Sequence, residues 1–266
     1  MSITARQPWS PSPAVAHTAP LVVFMLITEL ASLVRVENSA LPWYQSAPEH
    51  WVYPLQCVIV GALLLCFRHH YTLRPWRGLG LAVLLAVLGI AVWVLPASLY
   101  HPGQPAWWEW LGAAARDKGF EPNVFNDPLP KTPMEAIYRG EAPAWCFHSP
   151  AWFATVILRF VRMVVIVPFV EELFWRGFLM RYVQADGRSF LTVPFGKHSW
   201  RAFWIVTLAV TLIHQPEDYL GAFVWGSLMY WLAVRTKSLG ACVFMHAFGN
   251  LLLGIYVMAT GKWGFW

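Results

Sequence analysis

Charged residues are scarce in this chain of 266 residues, because only 12% are Asp, Glu, Lys or Arg while 58% are hydrophobic. A chain with so little charge cannot cover a water-soluble domain with polar side chains. Its composition therefore predicts an integral membrane protein surrounded by membrane lipid. The net charge of +5 does not indicate nucleic acid as a partner, since the basic residues lie in short loops beside apolar runs, as membrane topology requires.

Several common catalytic motifs are missing. The four cysteines form no CxxC pair and no metal-finger spacing, and three of them lie inside apolar runs, where they are expected to pack as small apolar groups. The sequence has neither the HExxH of zinc proteases nor the GxSxG of serine hydrolases. We therefore expect no cofactor and no covalent serine intermediate.

Apolar runs are abundant, and seven of them approach the roughly 20 residues that cross a hydrocarbon core of about 30 Å. They predict an all-α fold, a polytopic transmembrane helix bundle of about seven to eight spans with a polar cavity inside the C-terminal helices. The runs are Leu21–Arg35, Trp51–Phe67, Gly78–Leu99, Pro150–Tyr182 (one long helix or two), Ala202–His214, Leu220–Arg235 and Leu239–Met258.

The runs divide the chain into four parts: a disordered cytoplasmic tail (1–19), N-terminal transmembrane helices (20–100), an external loop (101–149) and a transmembrane core (150–260). Arg and Lys follow the second, fourth and sixth runs, which places those loops and the N-terminus in the cytoplasm. In a bacterium the membrane would be the inner, plasma membrane.

Three charged residues interrupt the fourth run in the stretch FVEELFWRGFL, namely Glu171, Glu172 and Arg176. A charge at the centre of a membrane costs about 2.5–3.5 kcal/mol on insertion scales. Glu172 and Arg176 are four residues apart and can form a salt bridge on one helix. Glu171 points about 100° away from Glu172 and needs a partner on another helix.

Possible partners are His214, His246 and Asn250 in the C-terminal third of the sequence. At 1.5 Å per helical residue from the cytoplasmic loops, these three and Glu171 all lie about 10–18 Å deep. The sequence QPED also interrupts the fifth run directly after His214. A break at that depth is tolerated only beside protein or a water-filled cavity. We therefore predict that the four side chains face one shared cavity.

This set of side chains is suited to hydrolysis of an amide. Burial disfavours the charged form of a carboxylate, so an ionised glutamate in such a site is a strong base that can activate water. We assign that role to Glu171, with His214 sharing it or orienting the water. His246 and Asn250 can donate hydrogen bonds to the oxyanion that forms at an attacked carbonyl.

The same residues resemble the CAAX-protease and bacteriocin-processing family of intramembrane glutamic proteases. Its motifs EExxxR, FxxxH and HxxxN are similar to Glu171-Glu172…Arg176, VTLIH ending in His214, and His246…Asn250, although Val210 stands in place of the usual Phe. The resemblance covers roughly residues 150 to 258 and is closest to the bacterial type. It implies a metal-independent protease with Glu172 and Arg176 as supporting residues. The implied substrate is a membrane-associated peptide or protein, which is prenylated in the eukaryotic members.

Two other functions remain open at this stage. Glu171, His214 and His246 are legitimate zinc ligands, so a zinc-dependent intramembrane protease would use the same residues. A non-enzymatic transporter or scaffold could use the polar cluster to relay protons or to fix helix packing.

Overall fold

The computed structural model describes residues 12–34, 49–99, 150–260 and 265, and within these residues all regular structure is helical. The all-α prediction is confirmed, and a helix lies at each of the seven apolar runs. The helices are α1 (Pro13–Val34), α2 (Glu49–Cys66), α3 (Leu79–Leu99), α4 (residues 150–182), α5 (Trp200–Leu212), α6 (Tyr219–Thr236) and α7 (Leu239–Thr260). Short 3₁₀ turns occur at Arg68–His70, Phe190–Thr192 and Pro216–Asp218.

Helix α1 begins earlier than the sequence predicts. It starts at Pro13, and the backbone N–H of Val15 donates a hydrogen bond of 3.3 Å to the Ser12 hydroxyl. Proline fits the first turn of a helix and serine caps its N-terminus, so these residues start a helix here. The predicted tail is therefore wrong for residues 13–19. Residues 1–11 and the predicted external loop 101–149 lie outside the described residues.

Helix α4 is one continuous helical segment with two π-helical parts. It comprises Pro150–Val161 (α), Arg162–Ile166 (π), Val167–Glu172 (α), Leu173–Leu179 (π) and Met180–Tyr182 (α). Pro168 cannot donate a backbone hydrogen bond and its ring crowds the preceding turn. The first π part ends just before this proline. π-Helical turns are rare and are frequent at functional sites, so the part that carries Glu171 has an unusual geometry on both sides.

Helix α4 lies between two apolar clusters. Its Trp175 belongs to a cluster with residues of α3, α5, α6 and α7. Its Ile166 and Val170 belong to a second cluster with residues of α1 and α2. Phe174 packs against both. Both halves of the described chain therefore hold α4 in place.

Helices α1 and α7 are long and apolar enough to cross a membrane. Large apolar side chains point outward from α1, α2, α3 and α5, and they include Leu33, Val58, Leu84 and Leu212 at 81%, 69%, 63% and 65% exposure. A surface of this kind is expected to face lipid rather than water.

Candidate active site

A cavity of about 190 Å³ lies among helices α3 to α7. Most of the polar side chains that the sequence predicts to form the site line this cavity. Glu171, His214, His246 and Asn250 all line it, and so does Arg176. The remaining lining residues are Ile90, Trp93, Val167, Val210, Trp225 and Leu253. Since Ile90 and Trp93 belong to α3, the cavity is not formed by the C-terminal helices alone.

Glu171 lies on the short α-helical part of α4 between the two π-helical parts and is half-buried. Among the described residues, its carboxylate accepts no hydrogen bond and forms no ion pair. Arg162 is near enough for an electrostatic interaction. The carboxylate is therefore free to bind a water molecule in the cavity.

Glu172 is fully buried and contacts two other side chains. Its Oε1 accepts a hydrogen bond of 3.2 Å from Arg176 Nη1 and one of 2.8 Å from His246 Nδ1. The pairing of Glu172 with Arg176 follows from their spacing, whereas the contact with His246 was not predicted. Glu172 thus fixes the orientation of the His246 ring in addition to neutralising Arg176.

The hydrogen bond between Glu172 and His246 Nδ1 leaves Nε2 as the nitrogen of His246 that can bind a ligand. With Nδ1–H directed at Glu172, Nε2 accepts a hydrogen bond in the neutral ring and donates one in the imidazolium. Asn250 lies one turn further along α7, and its Nδ2 donates a hydrogen bond of 2.6 Å to the Met163 carbonyl. An amide nitrogen carries two hydrogens, so one remains for a ligand.

His214 follows the end of α5 at Leu212. Its Nδ1 lies 2.7 Å from the Val210 carbonyl, which can only accept, so Nδ1 donates this hydrogen bond. The neutral ring then has Nε2 as an acceptor. The contact uses the backbone of Val210, which explains how valine can replace the phenylalanine of the family motif without loss of this interaction.

Two tryptophans that sequence reasoning missed support the two histidines. Trp93 meets His214 edge to face with 5.5 Å between ring centroids, and Trp225 meets His246 in the same way at 5.8 Å. Trp225 fits between two glycines, because a Cβ at Gly89 would lie 2.6 Å from its ring and a Cβ at Gly249 would also clash with it. No spacing rule connects residues so far apart in the sequence.

Several buried polar atoms near the cavity have no hydrogen-bond partner among the described residues. They are Glu172 Oε2, Arg176 Nε and Arg176 Nη2. These atoms belong to one charged group that is completely enclosed by protein. Removing either charge would leave the other without compensation, which is expensive in a buried site.

Comparison with known proteins gives one family and a matching region. Residues 152–252 match the family model described as Type II CAAX prenyl endopeptidase Rce1-like. No curated protein and no solved structure matches the chain. The matched region contains all three motifs and both π-helical parts of α4. Residues 152–252 therefore form a domain similar to the Rce1-like type II CAAX prenyl endopeptidases.

Proposed function

We propose that this protein is an intramembrane endopeptidase that hydrolyses a peptide bond through a water molecule activated by Glu171. The observation that carries the proposal is the arrangement of the cavity wall. It presents one carboxylate without a hydrogen bond among the described residues, together with a histidine, His214, whose Nδ1 is already occupied by a backbone carbonyl.

The reaction needs a base, a donor to the oxyanion and a proton for the leaving group. Glu171 takes a proton from water while His214 Nε2 accepts the other water hydrogen and orients the nucleophile. The hydroxide attacks the carbonyl carbon, and the C–N bond breaks when Glu171 returns its proton to the departing amine. His246 Nε2 and the remaining amide hydrogen of Asn250 donate to the oxyanion formed in between.

Charge balance supports His246 as the donor. An imidazolium at His246 would have the Glu172 carboxylate beside it as a counter-ion, 2.8 Å from Nδ1. Unbalanced charge is costly in a site with little water. The imidazolium form also supplies the Nε2–H that the oxyanion needs.

A reaction without metal is supported by the geometry of the side chains. Within the described ranges, no group of three or more His, Cys, Asp and Glu residues is arranged to hold a metal ion. Asn250 beside His246 suits hydrogen-bond donation better than zinc ligation, because asparagine is not among the usual zinc ligands.

The proposal includes the membrane topology of the protein and the class of its substrate. The chain crosses the membrane as a polytopic bundle of about seven to eight spans, with the N-terminus in the cytoplasm and, in a bacterium, with the protein in the inner membrane. The substrate is a membrane-associated peptide or protein, and a prenyl or other lipid group is one means by which it could be held there.

Cells that carry the wild-type protein and cells that carry Glu171→Gln would identify the substrate. Mass spectrometry of membrane peptides should show a shortened species only with the wild type. Glu29→Gln is a matched control, because Glu29 is exposed on α1 and outside the cavity. The same shortened species in Glu171→Gln cells would contradict the proposal.

A further inference from the structure

Pro168 removes one backbone hydrogen bond from α4 beside the proposed oxyanion site. It is buried and lies two residues after the first π-helical part, Arg162–Ile166. In a π-helix a carbonyl accepts from the N–H five residues later, and the N–H of Val167 does bond to the Arg162 carbonyl. The residue five positions after Met163 is Pro168, which has no N–H. The Met163 carbonyl therefore lacks the helical hydrogen bond that the Arg162 carbonyl receives.

Asn250 of α7 supplies the missing donor. Its Nδ2 donates a hydrogen bond of 2.6 Å to the Met163 carbonyl. A carbonyl freed by proline inside a membrane has to find its partner within the protein. The two hydrogens of an amide lie in one plane, so fixing one also fixes the direction of the other. Asn250 lines the same cavity as Glu171, and its second hydrogen is the one assigned to the oxyanion.

Close packing on the next turn of α7 brings these groups together. Gly254 lies one turn after Asn250, and a Cβ there would lie 2.7 Å from the ring of Phe160 and 3.3 Å from Cε of Met163. Glycine lets two membrane helices approach closely. The hydrogen bond from Asn250 therefore belongs to a tightly packed contact between α7 and the first π-helical part of α4.

We propose that Pro168 is a positioning residue for the oxyanion site. Because it offers no N–H to Met163, that carbonyl stays reserved for Asn250, whose second hydrogen is then held towards the oxyanion. Pro168 itself does not touch the substrate. The inference rests on the proposed protease function and gives a role to a proline that lies only three residues before Glu171.

Two replacements of Pro168 separate the missing N–H from the ring. Pro168→Ala adds an N–H that can bond to the Met163 carbonyl, whereas Pro168→lactic acid, introduced by nonsense suppression, has an ester oxygen there and no donor. Both lack the ring. Purified protein in nanodiscs receives a library of N-lauroylated apolar peptides, and mass spectrometry gives kcat and KM. We expect Pro168→Ala to lower kcat about 10- to 100-fold with little change in KM, since a misdirected donor weakens only the transition state.

Pro168→lactic acid should keep kcat near that of the wild type. Pro20→Ala is the matched control, because Pro20 is also buried within a helix, α1, and lies outside the cavity. In an Asn250→Ala background, Pro168→Ala should have no further effect, since both changes act through the same hydrogen bond. Equal losses in the alanine and lactic acid variants would show that the ring matters and not the N–H. That result, or a raised KM with normal kcat, would overturn the inference.

Solid-state NMR tests the hydrogen bond without any substrate. Protein with ¹³C-labelled methionine carbonyls and ¹⁵N-labelled asparagine side chains should show a dipolar contact between Met163 and Asn250 that Pro168→Ala loses. If Pro168→Ala is not recovered as folded protein, Pro168→Leu replaces it, because it also adds an N–H. A contact that persists in the variant contradicts the inference. No cleavage of any peptide, or cleavage that Glu171→Gln does not reduce, would count against the protease function, and the NMR result would still decide the role of Pro168.

Discussion

Glu171 and Glu172 are neighbours in the sequence, yet their surroundings suit them to different tasks. Glu171 is half-buried on the cavity wall, whereas Glu172 is completely buried between Arg176 and His246. A carboxylate that activates water must be reachable, and one that orients a histidine must be fixed. The adjacent positions meet both needs because successive residues of a helix point in different directions.

The buried pair leads to a prediction about folding. Arg176→Ala leaves Glu172 charged and enclosed, and breaking a buried pair costs about 3–5 kcal/mol. The variant should therefore give less folded protein in detergent than Glu171→Gln, measured by recovery in size-exclusion chromatography. Arg201→Ala, at an exposed position, is the control and should behave like the wild type. Equal recovery of Arg176→Ala and Glu171→Gln would refute this division of roles.

Asn250 allows a prediction about the transition state. Asn250→Asp keeps the shape of the side chain and removes both amide hydrogens, the one bound by the Met163 carbonyl and the one offered to the oxyanion. The loss of one such donor lowers kcat by about 100-fold or more. KM should change little, since the oxyanion exists only during the reaction. A raised KM with normal kcat would instead place Asn250 in substrate binding.

At this scale the sequence predicted the members of the cavity wall but not all of their contacts. Uncompensated charge and a shared depth were sufficient to select Glu171, His214, His246 and Asn250. The hydrogen bond between Glu172 and His246 could not be predicted, because it depends on how α4 and α7 are rotated against each other. Trp93 and Trp225 were missed because an indole has no spacing signature.

Among the elements, α3 shows how close packing fixes the site. It carries two glycines in different surroundings: Gly89 touches the ring of Trp225, while Gly80 has no other atom within 4 Å of an added Cβ. We expect Gly89→Ala to be destabilising by about 1–3 kcal/mol through overpacking. It should also move Trp225 against His246 and reduce activity.

Gly80→Ala is the matched control on the same helix, and it should be neutral or slightly stabilising because alanine favours helix. Thermal unfolding in detergent and cleavage rates check both variants. If the two substitutions had the same effect, the packing of Trp225 against Gly89 would not matter for the site.

The two π-helical parts of α4 could not be predicted from the sequence. Apolar periodicity is too weak in a lipid-facing helix to reveal an extra residue in a turn. Pro168 indicated that the helix is distorted at this point, but a proline is equally consistent with an ordinary kink. By contrast, the end of α5 at Leu212 could be read from the residues QPED that follow His214.

For the whole molecule, composition was enough to predict a membrane protein, and the apolar runs predicted the seven helices that the described residues form. The start of α1 was missed since a Pro- and Ser-rich segment is typical both of a tail and of a helix N-terminus. How α3 packs against α6 and α7 depends on contacts between distant segments, so the contribution of α3 to the cavity could not be seen in the sequence.

The orientation of the whole protein in the membrane can be tested. The distribution of Lys and Arg places Ser189 in the cytoplasm and Thr260, at the end of α7, on the outer side. With the four native cysteines replaced, a membrane-impermeant maleimide should label Thr260→Cys in intact cells and Ser189→Cys only after the membrane is opened. The reverse pattern would invert the topology and leave the cavity unchanged.

The claim that water is activated by Glu171 without a metal is tested most directly with purified protein and an identified substrate. Activity should survive exhaustive treatment with a strong chelator, and Glu171→Gln should abolish cleavage while the protein stays folded by size-exclusion chromatography. Stoichiometric zinc found by elemental analysis, with activity lost on its removal and restored by its return, would contradict the account and favour a zinc protease built from the same residues.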